Sequence, residues 1–111
     1  MKSHVALLSI ISILLLSFSS FTFSQNENPI VDVSELEHNG RTIYTFVDQR
    51  NIPEEKVDSF KNRISSLYPT IEKITFDASD RTFSIYFTES PEKKDLKSVF
   101  SHFNVYEYTL N

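Results

Sequence analysis

Within residues 81–88, polar and apolar side chains alternate from Thr82 to Thr88. Three large apolar residues fall on one side of an extended chain: Phe83, Ile85 and Phe87. Hydroxyl-bearing residues fall on the other side: Thr82, Ser84, Tyr86 and Thr88. A period of two residues indicates a β-strand with one buried face and one wetter face. Neighbouring segments must then cover the apolar side, which predicts this strand at the centre of a small sheet.

Two other segments carry apolar residues at helical spacing. The first stripe consists of Val57, Phe60, Ile64 and Leu67, and Pro69 ends it. The second consists of Leu96, Val99, Phe100 and Phe103, and Asn104 is suited to a left-handed helix stop. Each stripe follows a capping residue and a proline, so Asn51 and Ser90 are the predicted N-caps. These patterns predict two amphipathic helices.

Further strands are predicted at residues 41–47, 71–76 and 105–110, which gives the order strand, helix, strand, strand, helix, strand. This is the α+β, ferredoxin-like split βαβ arrangement, with two helices on one face of a four-stranded antiparallel sheet. The sheet residues expected to meet the helices are Tyr44, Phe46, Ile74, Phe76, Phe83, Ile85, Phe87, Tyr106, Tyr108 and Leu110. Those expected on the opposite, open face are Thr45, Thr75, Thr82, Ser84, Tyr86, Glu107 and Thr109.

The segment before this domain ends in Asn39-Gly40, a strong signal for a two-residue β-hairpin turn. Residues 25–40 are therefore either a flexible leader or an extra strand, in which residues 31–38 pair with residues 41–47. In the ferredoxin-like topology the first strand is normally flanked on both sides. An extra strand must then pair beyond the sheet, or the strand order must differ from the expected one.

Residues 1–24 have the features of a signal peptide, with Lys2 before an apolar run and small residues at Thr22 and Ser24. Cleavage after Ser24 is predicted, with an uncleaved membrane anchor as the alternative. The expected organisation is a signal peptide at 1–24, a leader or extra strand at 25–40 and the α+β domain at 41–111. For a bacterial source, this predicts a periplasmic or secreted protein without stable membrane insertion after cleavage. The chain contains no cysteine, so neither a disulfide nor a lipidated cysteine is available to it.

From about Thr42 to Leu110 the chain resembles the heavy-metal-associated domain. The likeness lies in the loop leading into the first helix, in residues 67–77 (LYPTIEKITFD) and in a second helix opening at Pro91. That family holds soft metal ions through a Cys-x-x-Cys pair in the loop after its first strand. Here the corresponding loop, residues 48–55 (DQRNIPEE), has no cysteine, so no metal ligand carries over.

Other side chains are the remaining candidates for holding a metal. Asp48, Glu54 and Glu55 lie near the start of the first helix, where carboxylates suit hard cations but also complement the helix dipole. His38 and His102 are the only histidines beyond the signal peptide. A degenerate metal-binding domain with oxygen or imidazole ligands is therefore the alternative hypothesis, although no metal or other cofactor is expected.

Composition and motifs disfavour other classes of function. Eleven basic residues against 15 acidic ones argue against nucleic-acid binding. Phosphate loops and nucleophile motifs are absent from the sequence, and a single glycine offers little for a catalytic turn, so the chain is expected not to be an enzyme. The leading hypothesis is a protein-interaction module of unknown partner. Its candidate contact residues are Tyr86, Thr82 and Ser84 on the open face.

Overall fold

The computed structural model describes residues 28–111. The signal peptide expected at residues 1–24 lies outside the described residues. In chain order the elements are β1 (Ile30–His38), β2 (Arg41–Val47), α1 (Glu54–Leu67), β3 (Ile71–Asp77), β4 (Thr82–Phe87), α2 (Lys93–His102) and β5 (Glu107–Leu110). The described part of the chain is therefore an α+β fold with two helices and one five-stranded sheet.

The order of strands across the sheet is β3-β4-β2-β1-β5. Neighbouring strands are antiparallel except β1 and β5, which run parallel. The prediction of a four-stranded antiparallel sheet is therefore wrong in strand number and in pairing. Leaving out β1 recovers the order and directions of a split βαβ sheet, with which the fold is broadly compatible. The additional strand lies between β2 and β5.

The turn at Asn39 and Gly40 explains this insertion. Their φ angles of 54° and 79° are the positive values that a type I′ hairpin requires, and the turn pairs His38 with Arg41. Since β4 already occupies one side of β2, the hairpin places β1 on the other side. The closing strand β5 then pairs with the far side of β1, where Val31 lies opposite Tyr108 and Val33 opposite Leu110.

Both helices begin later than their sequence signals suggest. Helix α1 has Pro53 as its N-cap residue, while the predicted cap, Asn51, adopts a left-handed conformation with φ of 56°. Helix α2 is preceded by Glu92 instead of Ser90. The hydroxyl of Ser90 is 2.9 Å from that of Thr42, which is almost fully buried. Ser90 therefore hydrogen-bonds to a buried hydroxyl group instead of capping α2.

The core lies between the helices and one face of the sheet. Both predicted helix stripes are buried there except Leu67, and β1 adds Val31 and Val33. Phe103 is central: the centroid of its ring lies 5.2 Å from that of Phe46 and 5.1 Å from that of Phe83. Aromatic and aliphatic packing therefore supplies the stability of a chain that has no cysteine to form a disulfide.

The predicted buried set is confirmed for β2 and β4 and for Ile74, while Phe76 and Tyr108 are partly buried against the core. Tyr106 and Leu110 are exposed instead. Tyr106 precedes the β5 ladder, and its neighbour Val105 turns inward because its amide bonds to the carbonyl of Phe100. Leu110 lies opposite Val33 and faces the same side of the sheet. It is the last residue of the edge strand β5, however, and lies at the rim of the core.

Candidate interaction face

The open face is the side of the sheet opposite the helices, and its central part is a row of small hydroxyl side chains. Ser34, Thr45, Ser84 and Thr75 lie side by side across β1, β2, β4 and β3. The hydroxyls of Thr45 and Ser84 are 3.0 Å apart. Short side chains on neighbouring strands leave this part of the face flat. Two of the sequence-predicted contact residues, Ser84 and Thr82, are partly exposed here.

An apolar row lies beside the hydroxyl row, towards the β1–β2 turn. Leu36 is paired with Ile43, Ile43 with Tyr86, and Tyr86 with Lys73. Leu36 is 57% exposed, whereas Ile43 and Tyr86 are half-buried. The ammonium of Lys73 lies 4.5 Å from the centroid of the Tyr86 ring, a cation–π arrangement. The predicted residue Tyr86 is therefore part of a continuous row.

Two more apolar side chains are exposed at the other end of the open face. Ile30 at the start of β1 is 68% exposed, and Val47 at the end of β2 is 52% exposed. Three of the six large hydrophobic residues that the described part exposes thus lie on this face: Ile30, Leu36 and Val47. Isolated exposed apolar residues are ordinary, but several on one sheet face that the rest of the described chain leaves open are typical of a contact surface.

Charged residues border the apolar row near the turn. The guanidinium of Arg41 forms an ion pair of 2.6 Å with Glu72, the extra residue of a bulge in β3. His38 lies beside this ion pair and, with Tyr86 and Lys73, lines a shallow pocket of about 70 Å³. The surroundings of His38 are thus mainly cationic and aromatic, which is unfavourable for a divalent cation.

Asp48 organises the loop between β2 and α1. Its side chain is only 1% exposed, and Arg81 donates to it across 2.7 Å. The backbone amides of Arg50 and Ile52 also donate to this carboxylate, each at 2.9 Å. Burial alone would raise the pKa of Asp48, but these hydrogen bonds outweigh it and hold the pKa below its ordinary value. The carboxylate proposed as a metal ligand thus has protein donors on both oxygens.

The other metal candidates lie apart from one another. His102, in the helix layer, has its Nε2 atom 3.0 Å from the hydroxyl of Tyr68, whereas His38 is on the open face. Glu54 and Glu55 are exposed in the first turn of α1. Among residues 28–111, no group of three histidine, aspartate or glutamate side chains is placed to hold a metal ion. The structure therefore does not bring the five candidates together.

The sequence interpretation missed the contact of Arg81 with Asp48 and the place of Leu36 in the apolar row. Arg81 has a φ of 56° and also donates to the carbonyl of Ile52 at 2.6 Å, so it fastens the loop before α1 to the β3–β4 turn. Its place directly after Asp80 in a turn gave no sign of this contact. The sequence left open whether residues 31–38 form a strand, so Leu36 was not assigned to a face. In a strand, its spacing of two residues from Ser34 and His38 puts all three side chains on the same face.

Comparisons of the chain with protein-family models, curated proteins and solved structures found no match. The likeness to heavy-metal-associated domains thus stays a prediction. In the described residues, no helix is both long and apolar enough to cross a membrane.

Proposed function

We propose that this chain is an exported, non-catalytic protein-interaction module whose open sheet face binds a partner protein. The domain is then a ferredoxin-like framework extended by β1. The observation that carries the proposal is the exposure of Ile30, Leu36 and Val47 on a sheet face that neither helix of residues 28–111 covers. Burying these side chains and the exposed part of Tyr86 against a partner removes apolar surface from water, which favours association.

The face is a better contact surface than either edge of the sheet. Edge strand β3 carries a bulge at Glu72 and Lys73, and edge strand β5 has only four residues. Bulges, charges and short edge strands all oppose the pairing of a further strand. The open face, by contrast, offers flat hydroxyl and apolar rows with charged residues at the border, which is the usual arrangement of a protein contact.

The alternative, a degenerate metal-binding domain, has less support. Asp48 is occupied by Arg81 and two backbone amides, and the two histidines lie on opposite layers. Native mass spectrometry of the protein purified without chelators from the exported fraction of its source tests both export and metal content. We expect the mass of residues 25–111 without an adduct. A stoichiometric metal mass that disappears on joint substitution of His38 and His102 would favour the alternative.

A matched pair of leucines tests the contact surface. Leu36 on the open face and Leu67 at the end of α1 are 57% and 56% exposed, so replacing each with serine removes a similar apolar surface. We expect Leu36→Ser to reduce capture of the partner from the exported fraction, while Leu67→Ser leaves it unchanged. Equal capture by both variants would contradict the proposal.

A second variant removes the aromatic centre of the apolar row. In Tyr86→Asp the new carboxylate lies opposite Lys73, which can neutralise it, so the domain is expected to stay folded. Partner capture should be lost while the circular dichroism spectrum is retained. A folded variant that still captures the partner fully would exclude Tyr86 from the contact surface.

A further inference from the structure

A groove of about 470 Å³ lies on the helix side of the protein, away from the open face. The loop of Arg50, Asn51, Ile52 and Pro53 forms one wall, and the adjoining turns of α1 form the other. The buried ring of Phe60 contributes to the lining. This volume is within the range of pockets that bind small molecules.

The groove is positively charged although the chain as a whole carries a net charge of −4. Three cationic side chains line it, Arg50, Lys56 and Arg63, against the single carboxylate of Glu55. The guanidinium carbons of the two arginines lie 5.3 Å and 5.5 Å from the centroid of the same Phe60 ring. Both guanidinium groups therefore pack against the same ring, and an anion bound in the groove would offset their positive charges.

These three cations have no carboxylate partner of their own in the described part of the chain. The ion pairs found there involve Arg41, Lys61, Arg81 and Lys94 instead. Three cations against one carboxylate give the groove a local excess of positive charge, which suits an external anion.

Part of the groove is held in position before any ligand binds. One nitrogen of the Arg50 guanidinium donates to the carbonyl of His102 at 2.8 Å, which leaves other N–H groups of that planar fork for a ligand. The Arg50 backbone is fixed by Asp48.

We propose that this groove binds a small tetrahedral anion, the phosphate or sulfate group of an ester, between Arg50, Lys56 and Arg63. A tetrahedral group presents oxygens in several directions, which suits cations approaching from a loop and from two turns of a helix. A carboxylate has two oxygens in one plane and matches such an arrangement less well. The groove is larger than the ion itself, so it also accommodates the organic part of the ester.

The groove lies on a different surface from the open face. Anion binding is tested by titrating the isotope-labelled protein with inorganic phosphate, sulfate and acetate, and following backbone amide shifts. We expect phosphate or sulfate to shift the amides of residues 50–63 and to bind more tightly than acetate. The tighter of the two then identifies the ester, and its methyl or sugar ester is titrated next. Equal binding of acetate would overturn the proposal.

Charge-neutralising variants locate the site. Lys56→Gln and Arg63→Gln replace exposed residues, and each should weaken phosphate or sulfate binding about threefold, and about tenfold together. Lys97→Gln, which replaces an exposed lysine on α2, is the control and should leave affinity unchanged. Glu55→Gln should strengthen binding, because it removes the one acid of the groove. Equal affinities for Lys56→Gln, Arg63→Gln and Lys97→Gln would overturn the site, while Leu36→Ser should leave this titration unaffected.

Discussion

Replacing Asp48 with asparagine removes the buried charge that holds the loop between β2 and α1. Asparagine has nearly the same shape, but its amide group presents N–H donors towards Arg81 or towards the backbone amides of Arg50 and Ile52. Removing one partner of a buried ion pair usually costs about 3–5 kcal/mol. The Arg81 side chain is 37% exposed and is partly solvated after the change, so we expect a loss of about 2–3 kcal/mol in unfolding free energy.

The pH dependence of this loss follows from the lowered pKa of Asp48. A carboxyl whose pKa is lower in the folded state stabilises the protein above its unfolded value of about 3.9. That contribution is lost as the pH falls through the folded-state pKa. The stability difference between the native protein and Asp48→Asn should therefore be greatest near neutral pH and should narrow below about pH 4.

Urea unfolding followed by circular dichroism between pH 7 and pH 2.5 measures both effects. Asp77→Asn is the control, because Asp77 also accepts hydrogen bonds, from the amide and hydroxyl of Ser79, but is exposed at the end of β3. Its loss should be much smaller. The reasoning is refuted if Asp48→Asn loses no more stability than Asp77→Asn at pH 7, or if the Asp48 difference is the same at every pH.

Three further substitutions and one control substitution test the fold by chemical denaturation. Val33→Ala, at a fully buried site of β1, should lower the unfolding free energy by about 2 kcal/mol. The control Ile30→Ala, on the open face, should lower it by less than about 0.5 kcal/mol. Similar losses for the two variants would mean that β1 is not part of the core. Gly40→Ala should cost about 1 kcal/mol through its positive φ alone, since nothing lies within 4 Å of the added carbon, and an unchanged midpoint would contradict the turn. Phe103→Ala should cost about 3–5 kcal/mol, and a loss below about 1 kcal/mol would contradict its central packing.

Local patterns in the sequence predicted the elements well, because their causes are local. The alternation at residues 82–87 and the stripe from Val57 to Ile64 depend on the period of one element, and each has one buried face as expected. Asn39-Gly40 likewise specifies its own turn. What these patterns do not specify is which strand occupies the free side of β2. A local hairpin competes there with a strand more than sixty residues away, and the hairpin is adjacent in the chain.

The misplaced helix starts and site residues have a different cause. Asp48 could be recognised as a carboxylate near a helix start, but its role depends on Arg81, which reaches it only through the pairing of β2 with β4. Ser90 likewise bonds to Thr42, which is distant in sequence. Tyr86, Thr82 and Ser84 were assigned to the open face correctly because alternation alone determines the face. The apolar row around Tyr86 could not be predicted in the same way, because it depends on how four strands are paired.

The central claim, that the open face binds a protein partner, is tested most directly by site-specific photo-crosslinking in the source organism. A benzophenone amino acid is placed at position 36 in one variant and at position 67 in another, two sites of nearly equal exposure. The account predicts a defined conjugate with one protein from position 36 and none from position 67. The same conjugate from both positions, or no conjugate from position 36, would contradict it.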